Sequence, residues 1–290
     1  MKIATYLAGG ERRVGVVDEA RQTVSPFDLP QAEAALGLLA LIGRSPLPAI
    51  LNPMPLREAT LEAPIPRPQR NIFCVGKNYH AHAQEFASSG FDSSAAQGAV
   101  PQDPIIFSKV PECVVAHRAP VYFSKAVSSA IDYEAELAVI IGTGGRGISK
   151  ARALDHVWGY TIINDVTARD LQGKHSQWLI GKSQDTFGPM GPWAVTRDEI
   201  DLSNTLVRCW INGELRQNQN TAALIFDVPA LIATLSQGIT LMAGDIIATG
   251  TPAGVGIGFK PPKYLVSGDV MKIEITGIGV LENQVLEQAA

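Results

Sequence analysis

Three carboxylates alternate along one short stretch of the chain, at Asp132, Glu134 and Glu136. The apolar run at residues 138–141 is rich in β-branched side chains and ends at a glycine, which predicts a β-strand. Alternate side chains of a strand point to one face, so the three carboxylates would form a row. Neighbours in the row, about 6.7 Å apart, repel by roughly 2.5 kcal/mol at an effective dielectric of about 20. Such a row is either solvated or neutralised by a cation.

A further carboxylate, Asp165, follows the next strand-like run at residues 159–164. Hard oxygen ligands from two neighbouring strands suit Mg²⁺ or Mn²⁺, which leave coordination positions for water or a substrate oxygen. The alternative is a charged edge strand, which protects a sheet against aggregation. Asp165 makes us favour the metal site.

An imidazole and a carboxylate lie close together in the segment His80–Phe86, which we expect to form one or two helical turns. In a helix His82 and Glu85 are neighbours at positions i and i+3. The carboxylate would fix the tautomer of the imidazole and raise its basicity, as a general base requires. A surface pair without consequence is the alternative. The small residues at 88–98 are typical of a mobile lid, which could act together with this pair.

Two glycine-rich stretches could bind phosphates or other anions. Residues 142–147 satisfy the G-x-G-x-x-G pattern of dinucleotide-binding proteins. The preceding strand carries Glu134 and Glu136, however, whereas a central parallel strand is usually apolar throughout. We therefore expect a turn before a short helix at residues 150–157. Residues 249–256 could offer backbone N–H groups to an anion, but they lack the lysine of a P-loop.

Composition places the chain among ordinary globular proteins. It has 290 residues, 46% of them hydrophobic, and a net charge of −4, which provides no basic field for nucleic acid. Cys74, Cys113 and Cys209 are widely spaced, which indicates buried thiols in a reducing compartment. We find neither a signal peptide nor an apolar run of membrane-spanning length. The sequence predicts a cytoplasmic protein with no nucleic-acid or membrane partner.

The pattern of elements predicts a strand-rich α+β fold. Strands dominate without regular alternation with helices, so the sheet should be mixed. The prolines between residues 46 and 68 read as a linker. We therefore expect a small N-terminal α/β unit at residues 1–66 and a main domain at residues 67–290. Asn212-Gly213 predicts a type I′ hairpin turn, and Asp227 is the expected N-cap of a helix.

Several motifs in a fixed order resemble the fumarylacetoacetate hydrolase (FAH) family, and in particular its smaller, acylpyruvase-like members. The resemblance runs from about residue 70 to about residue 285. It implies a mixed β-sandwich roll that is usually a homodimer. The motifs are DYEAEL, ND-x-TARD, GKSQDTFGPMGPW, INGE, LMAGDIIATGTPAGVG and SGDVMKIEITGIGVLENQV.

The resemblance also implies an active site that contains Mg²⁺ or Mn²⁺. Glu134, Glu136 and Asp165 match the family's metal ligands, whereas Asp132 is not a usual ligand. The remaining matches form the catalytic and substrate-binding set: His82 and Glu85 as the water-activating dyad, Lys182 as a lysine that helps to hold the substrate's oxygens, and Arg169, Gly250 and Thr251 as further substrate contacts.

The expected activity is metal-dependent hydrolysis of a C–C bond in acylpyruvate-like 1,3-diketo acids. The substrate would be a small-molecule oxo acid, and its cleavage would pass through a metal-stabilised enolate. Decarboxylation of a 2-oxo diacid such as oxaloacetate and isomerisation of a 2-hydroxyhepta-2,4-diene-1,7-dioate use the same kind of enolate, so both remain alternatives. A nicotinamide-dependent oxidoreductase and a non-catalytic binder of oxo acids are the other hypotheses.

Overall fold

A mixed sheet of twelve strands contains the strand of Glu136 in its interior. The structure is a computed structural model, and it describes residues 1–87 and 100–289. The strand order along the sheet is β4-β3-β2-β1-β14-β12-β11-β17-β6-β7, with β5 on β1 and β8 on β14. Its strands are β1 (Lys2–Ala8), β2 (Glu11–Asp18), β3 (Thr23–Pro26), β4 (Met54–Pro55), β5 (Thr60–Glu62), β6 (Ile72–Gly76), β7 (Ile105–Lys109), β8 (Val114–Val115), β11 (Ala135–Ile141), β12 (Val157–Asn164), β14 (Gly188–Thr196) and β17 (Ile246–Ala248).

A second sheet of five strands and a two-stranded ribbon complete the strand architecture. The five-stranded sheet has the order β16-β15-β18-β19-β9, and the ribbon pairs β10 with β13. These strands are β9 (Val121–Phe123), β10 (Ile131–Asp132), β13 (Thr167–Ala168), β15 (Leu206–Ile211), β16 (Glu214–Asn220), β18 (Val270–Ile275) and β19 (Gly279–Glu287).

The α-helices of the described residues are short and are spread along the chain. They do not alternate regularly with the strands, and the strand-rich α+β class predicted from the sequence is confirmed. No helix within residues 1–87 and 100–289 is long and apolar enough to cross a membrane. The helices are α1 (Gln31–Ala34), α2 (His80–Ala87), α3 (Arg169–Lys174), α4 (Leu179–Lys182) and α5 (Val228–Ser236), and the 3-10 turns are Gly37–Ala40, Leu56–Glu58, Pro111–Cys113, Lys150–His156, Arg197–Glu199, Thr221–Ala223 and Gly256–Gly258.

Strand β11 is a central strand, and both of its faces are buried. It pairs with β12 on one side and with β17 on the other, both antiparallel. Leu137 and Val139 pack into the larger apolar core, whereas Ala138 and Ile140 pack into a second core on the opposite face. Because side chains alternate along a strand, Glu136 lies on the same face as Ala138 and Ile140. The charged-edge-strand interpretation is therefore wrong.

Several local predictions agree with the structure. Asn212 and Gly213 have φ angles of 51° and 82°, as a type I′ turn between β15 and β16 requires. Asp227 accepts a hydrogen bond from the Ala230 N–H at 2.8 Å and so caps α5. The three cysteines are buried and unpaired.

The N-terminal residues continue the main sheet, because β1 pairs with β14 through Lys2 and Val195. The division into residues 1–66 and 67–290 stays a prediction. The alanine- and leucine-rich stretch at residues 29–42 forms α1 and a 3-10 turn rather than one continuous helix, and Gly37, the first residue of that turn, adopts a left-handed φ of 63°. The lid segment predicted at residues 88–98 lies outside the described residues.

Candidate active site

Three buried carboxylates from two neighbouring strands converge at the end of β11. Ligand atoms of Glu134, Glu136 and Asp165 all lie within 4.8 Å of one another. The strand register explains the convergence, because Ala135 pairs with Asn164 and the Asp165 N–H donates to the Glu134 carbonyl at 2.9 Å. These are the three residues that the sequence predicts as metal ligands.

Asp132 does not belong to this triad, because the chain leaves the strand conformation at Tyr133 and Glu134. The row expected along a single strand is therefore interrupted. The Asp132 carboxylate instead accepts hydrogen bonds from Arg169 Nε at 2.8 Å and from the backbone N–H groups of Gly256 and Ile257. Asp132 thus holds a side chain and a loop in place.

Buried cations bind the triad from one side. Lys182 Nζ lies 2.8 Å from Glu134 Oε2 and 2.7 Å from Asp165 Oδ2. Lys109 Nζ lies 2.7 Å from the other oxygen of Asp165. Among the described residues Glu136 forms no ion pair, and its Oε2 accepts only the Gly250 N–H, at 2.8 Å.

The electrostatic environment shifts the pKa values of the two glutamates in opposite directions. Burial by itself would raise the pKa of Glu134, but Lys182 and Arg169 lower it to about 2. Burial, together with repulsion from Asp165 and Glu134, raises the pKa of Glu136 well above its usual value. Glu136 therefore lacks the compensating charge that its neighbour has.

This carboxylate set fits a divalent cation. All three ligands are hard oxygen donors, as Mg²⁺ and Mn²⁺ prefer. Glu134, Glu136 and Asp165 are 5%, 1% and 0% exposed, so their charges are costly without a partner. A cation beside Glu136 would supply the charge that no described side chain provides.

The predicted dyad forms on helix α2. His82 Nδ1 lies 3.2 Å from Glu85 Oε2. Because a carboxylate only accepts, Nδ1 carries the hydrogen and Nε2 has the free lone pair of a base. The buried His82 side chain lines a cleft next to Glu134.

Both polar and aromatic side chains line the cleft. Arg169 is 1% exposed, and its Nη1 lies 2.7 Å from Glu134 Oε1. Its Nη2 atom is buried without a hydrogen-bond partner among the described residues. A buried donor of this kind is costly unless a ligand accepts from it. The polar lining comprises Lys77, His82, Glu134, Arg169, Gln172, Lys182 and Thr251, and the aromatic lining comprises Phe86, Phe107 and Trp178.

The glycine-rich loop at residues 249–256 binds carboxylates of the protein itself. Gly250, Gly254 and Gly256 donate backbone N–H bonds to Glu136, Glu85 and Asp132 respectively. Of the two predicted substrate contacts in this loop, Thr251 lines the cleft, whereas the Gly250 N–H points to a triad member. Their role in substrate binding stays a prediction.

The sequence analysis did not single out three buried residues of the site, Lys77, Lys109 and Gln172. Lys109 is the last residue of β7. A lysine at the end of a mostly apolar strand is the sequence feature that could have identified it as a buried charge. Gln172 lines the cleft, and its Oε1 accepts a hydrogen bond from Arg169 Nη1 at 3.1 Å. Its position three residues after Arg169 on α3 is the sequence feature that could have indicated a contact between the two side chains.

The G-x-G-x-x-G stretch lies outside this cleft and forms a turn. The Gly142 and Gly147 N–H groups donate to the carbonyls of His156 and Ser236. The preceding strand β11 has antiparallel neighbours, and the segment Lys150–His156 that follows is a 3-10 turn. The parallel β-α-β context of a dinucleotide site is therefore lacking here.

The fold and the site define a class of strand-rich enzymes with a buried acidic triad beside a histidine–glutamate pair. The profile described as "Fumarylacetoacetate (FAA) hydrolase C-terminal" matches residues 71–286. The chain belongs to this family, as the sequence predicts.

Similar proteins carry several names within the family. The oxaloacetate tautomerase YisK of Bacillus subtilis (strain 168) is 52% identical over 231 residues, 79% of this chain and 74% of that protein. A fumarylacetoacetate hydrolase structure from the psychrophilic Exiguobacterium antarcticum has a TM-score of 0.85 at 41% identity, covering 99% of this chain and 100% of that one. A maleylpyruvate hydrolase structure from Sphingobium sp. SYK-6, in complex with manganese(II) and pyruvate, has a TM-score of 0.78 at 29% identity, covering 99% of each chain.

Proposed function

We propose that this enzyme interconverts the keto and enol forms of a small 2-oxo diacid such as oxaloacetate, with Mg²⁺ or Mn²⁺ held by Glu134, Glu136 and Asp165. The observation that carries the proposal is one cleft in which His82 and Arg169 lie beside this triad. The name of the Bacillus subtilis relative supports tautomerisation over hydrolysis, our first expectation from the sequence. Decarboxylation of oxaloacetate is the neighbouring possibility, because it also needs a stabilised enolate.

Substrate binding is assigned to the cations of the cleft. Arg169 Nη2 is a fixed donor without an acceptor in the part of the chain that the structure describes, so it suits a substrate carboxylate. Lys77 is 2% exposed and lines the same cleft, and it can bind the second carboxylate of a diacid. Lys182 would stabilise negative charge on the reacting oxygens.

The proton transfer is assigned to His82. Tautomerisation moves one proton between C3 and the oxygen on C2, so a single base that takes up and releases that proton is sufficient. His82 has its free lone pair on Nε2, while Glu85 holds Nδ1. A bound divalent cation would supply Lewis-acid stabilisation of the enolate's negative charge.

Hydrolysis of acylpyruvates remains the second candidate. A histidine held by a carboxylate can also take a proton from water, and the His82–Glu85 pair has the required geometry. The Sphingobium structure, which is of a maleylpyruvate hydrolase, supports this candidate. The homodimeric state and the cytoplasmic location inferred from the sequence stay predictions.

The test follows the loss of enol absorbance from freshly prepared enol-oxaloacetate, with Mg²⁺ or Mn²⁺ and after chelation. We expect metal-dependent acceleration without stoichiometric release of pyruvate. The His82→Ala variant should lose turnover by about 10²- to 10⁴-fold and still bind Mn²⁺. Retained turnover would remove His82 from the mechanism.

A panel of substrates separates the candidates. Pyruvate formed from oxaloacetate at the rate of enol loss would indicate a decarboxylase, and cleavage of acylpyruvates alone would indicate a hydrolase. Tight binding of oxo acids without turnover would indicate a non-catalytic protein. We expect no fluorescence change with nicotinamide cofactors. Binding of such a cofactor would support the oxidoreductase hypothesis.

A further inference from the structure

The carboxylate of Glu85 extends from α2 to the glycine-rich loop. The Gly254 N–H donates to Glu85 Oε1 at 3.1 Å and to Oε2 at 3.3 Å. The same carboxylate holds His82 Nδ1. The loop therefore fixes Glu85, and through Glu85 it fixes the direction in which His82 Nε2 points.

Gly258 leaves the space that this carboxylate occupies. A Cβ atom added at Gly258 would overlap Oε1 and Cδ of Glu85 and would lie 2.5 Å from its Cγ, closer than Cβ atoms approach other atoms in real proteins. The φ angle of Gly258 lies outside the left-handed region, so the backbone itself does not require glycine here. The atoms that a side chain would displace belong to the end of a flexible glutamate.

The same loop also positions the arginine of the cleft. The Gly256 and Ile257 N–H groups donate to Asp132 at 2.6 Å and 3.0 Å, and Asp132 accepts from Arg169 Nε. Residues 254–257 thus include the backbone donors that hold both the partner of the base and the partner of the substrate-binding arginine.

Helix α2 has a second attachment that does not depend on Glu85. Phe86 packs against Trp178 with ring centroids 6.1 Å apart, and Val255 and Ile257 belong to the same small apolar cluster. Displacement of the Glu85 carboxylate can therefore leave the helix in place. Its effect should be on the orientation of the base.

We infer that Gly258 is a positioning residue, whose missing side chain lets Glu85 dock on Gly254 and hold His82 in its productive orientation. This inference rests on the proposed function of His82 as the base. It predicts that a single methyl group at residue 258 impairs proton transfer while substrate and metal binding persist.

The test compares Gly258→Ala with Gly238→Ala. Gly238 is an exposed glycine whose φ also lies outside the left-handed region, and a Cβ there meets no atom within 4 Å. We expect Gly258→Ala to lower kcat for enol loss by about 10- to 100-fold, less than the roughly 10²- to 10⁴-fold expected for complete loss of the base, with KM and the Mn²⁺ dissociation constant changed less than about 3-fold. Gly238→Ala should match the wild type. Unchanged kcat in Gly258→Ala, or an equal loss in Gly238→Ala, would overturn the inference.

A double-mutant cycle separates positioning from general damage. Glu85→Ala vacates the space that a methyl group at residue 258 needs, so Gly258→Ala should cost nothing further in that background. Additive losses would show that Gly258 acts by another route.

A crystal structure of Gly258→Ala provides a readout that does not depend on activity. We expect the Glu85 carboxylate to have left the Gly254 N–H, with Phe86 still against Trp178. A retained hydrogen bond would overturn the inference whatever the substrate is. If wild-type protein turns over none of the oxo acids while the variant structure shows the displacement, the proposed function fails and the docking role stands.

Discussion

Replacing Glu136 with glutamine should stabilise the metal-free protein and weaken its binding of a divalent cation. The ligand atoms of the triad lie within 4.8 Å of one another. At a separation of about 4.8 Å and an effective dielectric of about 20, two carboxylates repel by roughly 3.5 kcal/mol. Glu136 is repelled by both Glu134 and Asp165 and is attracted by Lys182. The attraction offsets one of the two repulsions, so the net repulsion on Glu136 is about that of one carboxylate pair. Protonation of Glu136 relieves part of this repulsion.

The sign of the pH dependence follows from the raised pKa of Glu136. In the metal-free protein its contribution to stability is fully present below the ordinary pKa of 4.5 and is lost as the pH rises through the higher pKa of the folded state. The glutamine variant has no such loss. Its advantage over the wild type in Tm should therefore grow as the pH rises above this ordinary pKa, to several degrees at most.

Metal binding should stabilise the wild type much more than the variant. At a Mn²⁺ concentration 100 times its dissociation constant, the wild type gains about 2.7 kcal/mol in the free energy of unfolding. Loss of a direct ligand should weaken binding by about 100-fold or more, because outer-shell partners alone contribute about 10- to 100-fold. The variant would then gain only about 0.4 kcal/mol at the same concentration.

The assay is thermal unfolding of Glu136→Gln and wild type, after chelation and with added Mn²⁺, at several pH values. Glu58→Gln is the matched control, since Glu58 is exposed and forms no ion pair among the described residues. A chelated Glu136→Gln protein less stable than chelated wild type, or a variant with the full Mn²⁺ increment, would refute the reasoning.

Two further predictions concern the cleft and the stability in acid. Lys77→Met should raise KM for oxaloacetate by about 10- to 100-fold, which is the contribution of a charge-assisted hydrogen bond, and should have a smaller effect on KM for acylpyruvates. Equal effects on the two KM values in steady-state kinetics would exclude Lys77 from diacid selection. Burial and Arg118 lower the pKa of His117 from 6.5 to about 4, so its stability contribution is lost as the pH falls through this range. His117→Asn should lose less Tm between pH 7 and pH 5, and a parallel loss would contradict this.

Local sequence patterns predicted much of the site because its key groups are close together in the chain. Glu134 and Glu136 were visible as alternating carboxylates, and His82 and Glu85 as neighbours within one helix. The type I′ turn and the N-cap at Asp227 were predictable for the same reason, since each is determined within a few residues.

The structure separated residues that the sequence grouped. Asp132 shares the alternation of the two glutamates, but the chain leaves the strand between them, and Asp132 turns to Arg169 and the glycine-rich loop. Strand periodicity describes only residues that stay in the strand. At this break the Glu134 N–H donates to the side chain of Asn164, which lies on the neighbouring strand, at 3.0 Å.

By itself, the sequence determined the chemical types of the site, its strand-rich class and its family. Only the tertiary structure decided how these groups are compensated and oriented. Lys109 reaches Asp165 across 56 residues, and the Gly254 N–H reaches Glu85 across 169. Contacts at such separations depend on sheet register and loop path, so no local pattern encodes them. The charge left on Glu136 and the direction of His82 are consequences of that packing.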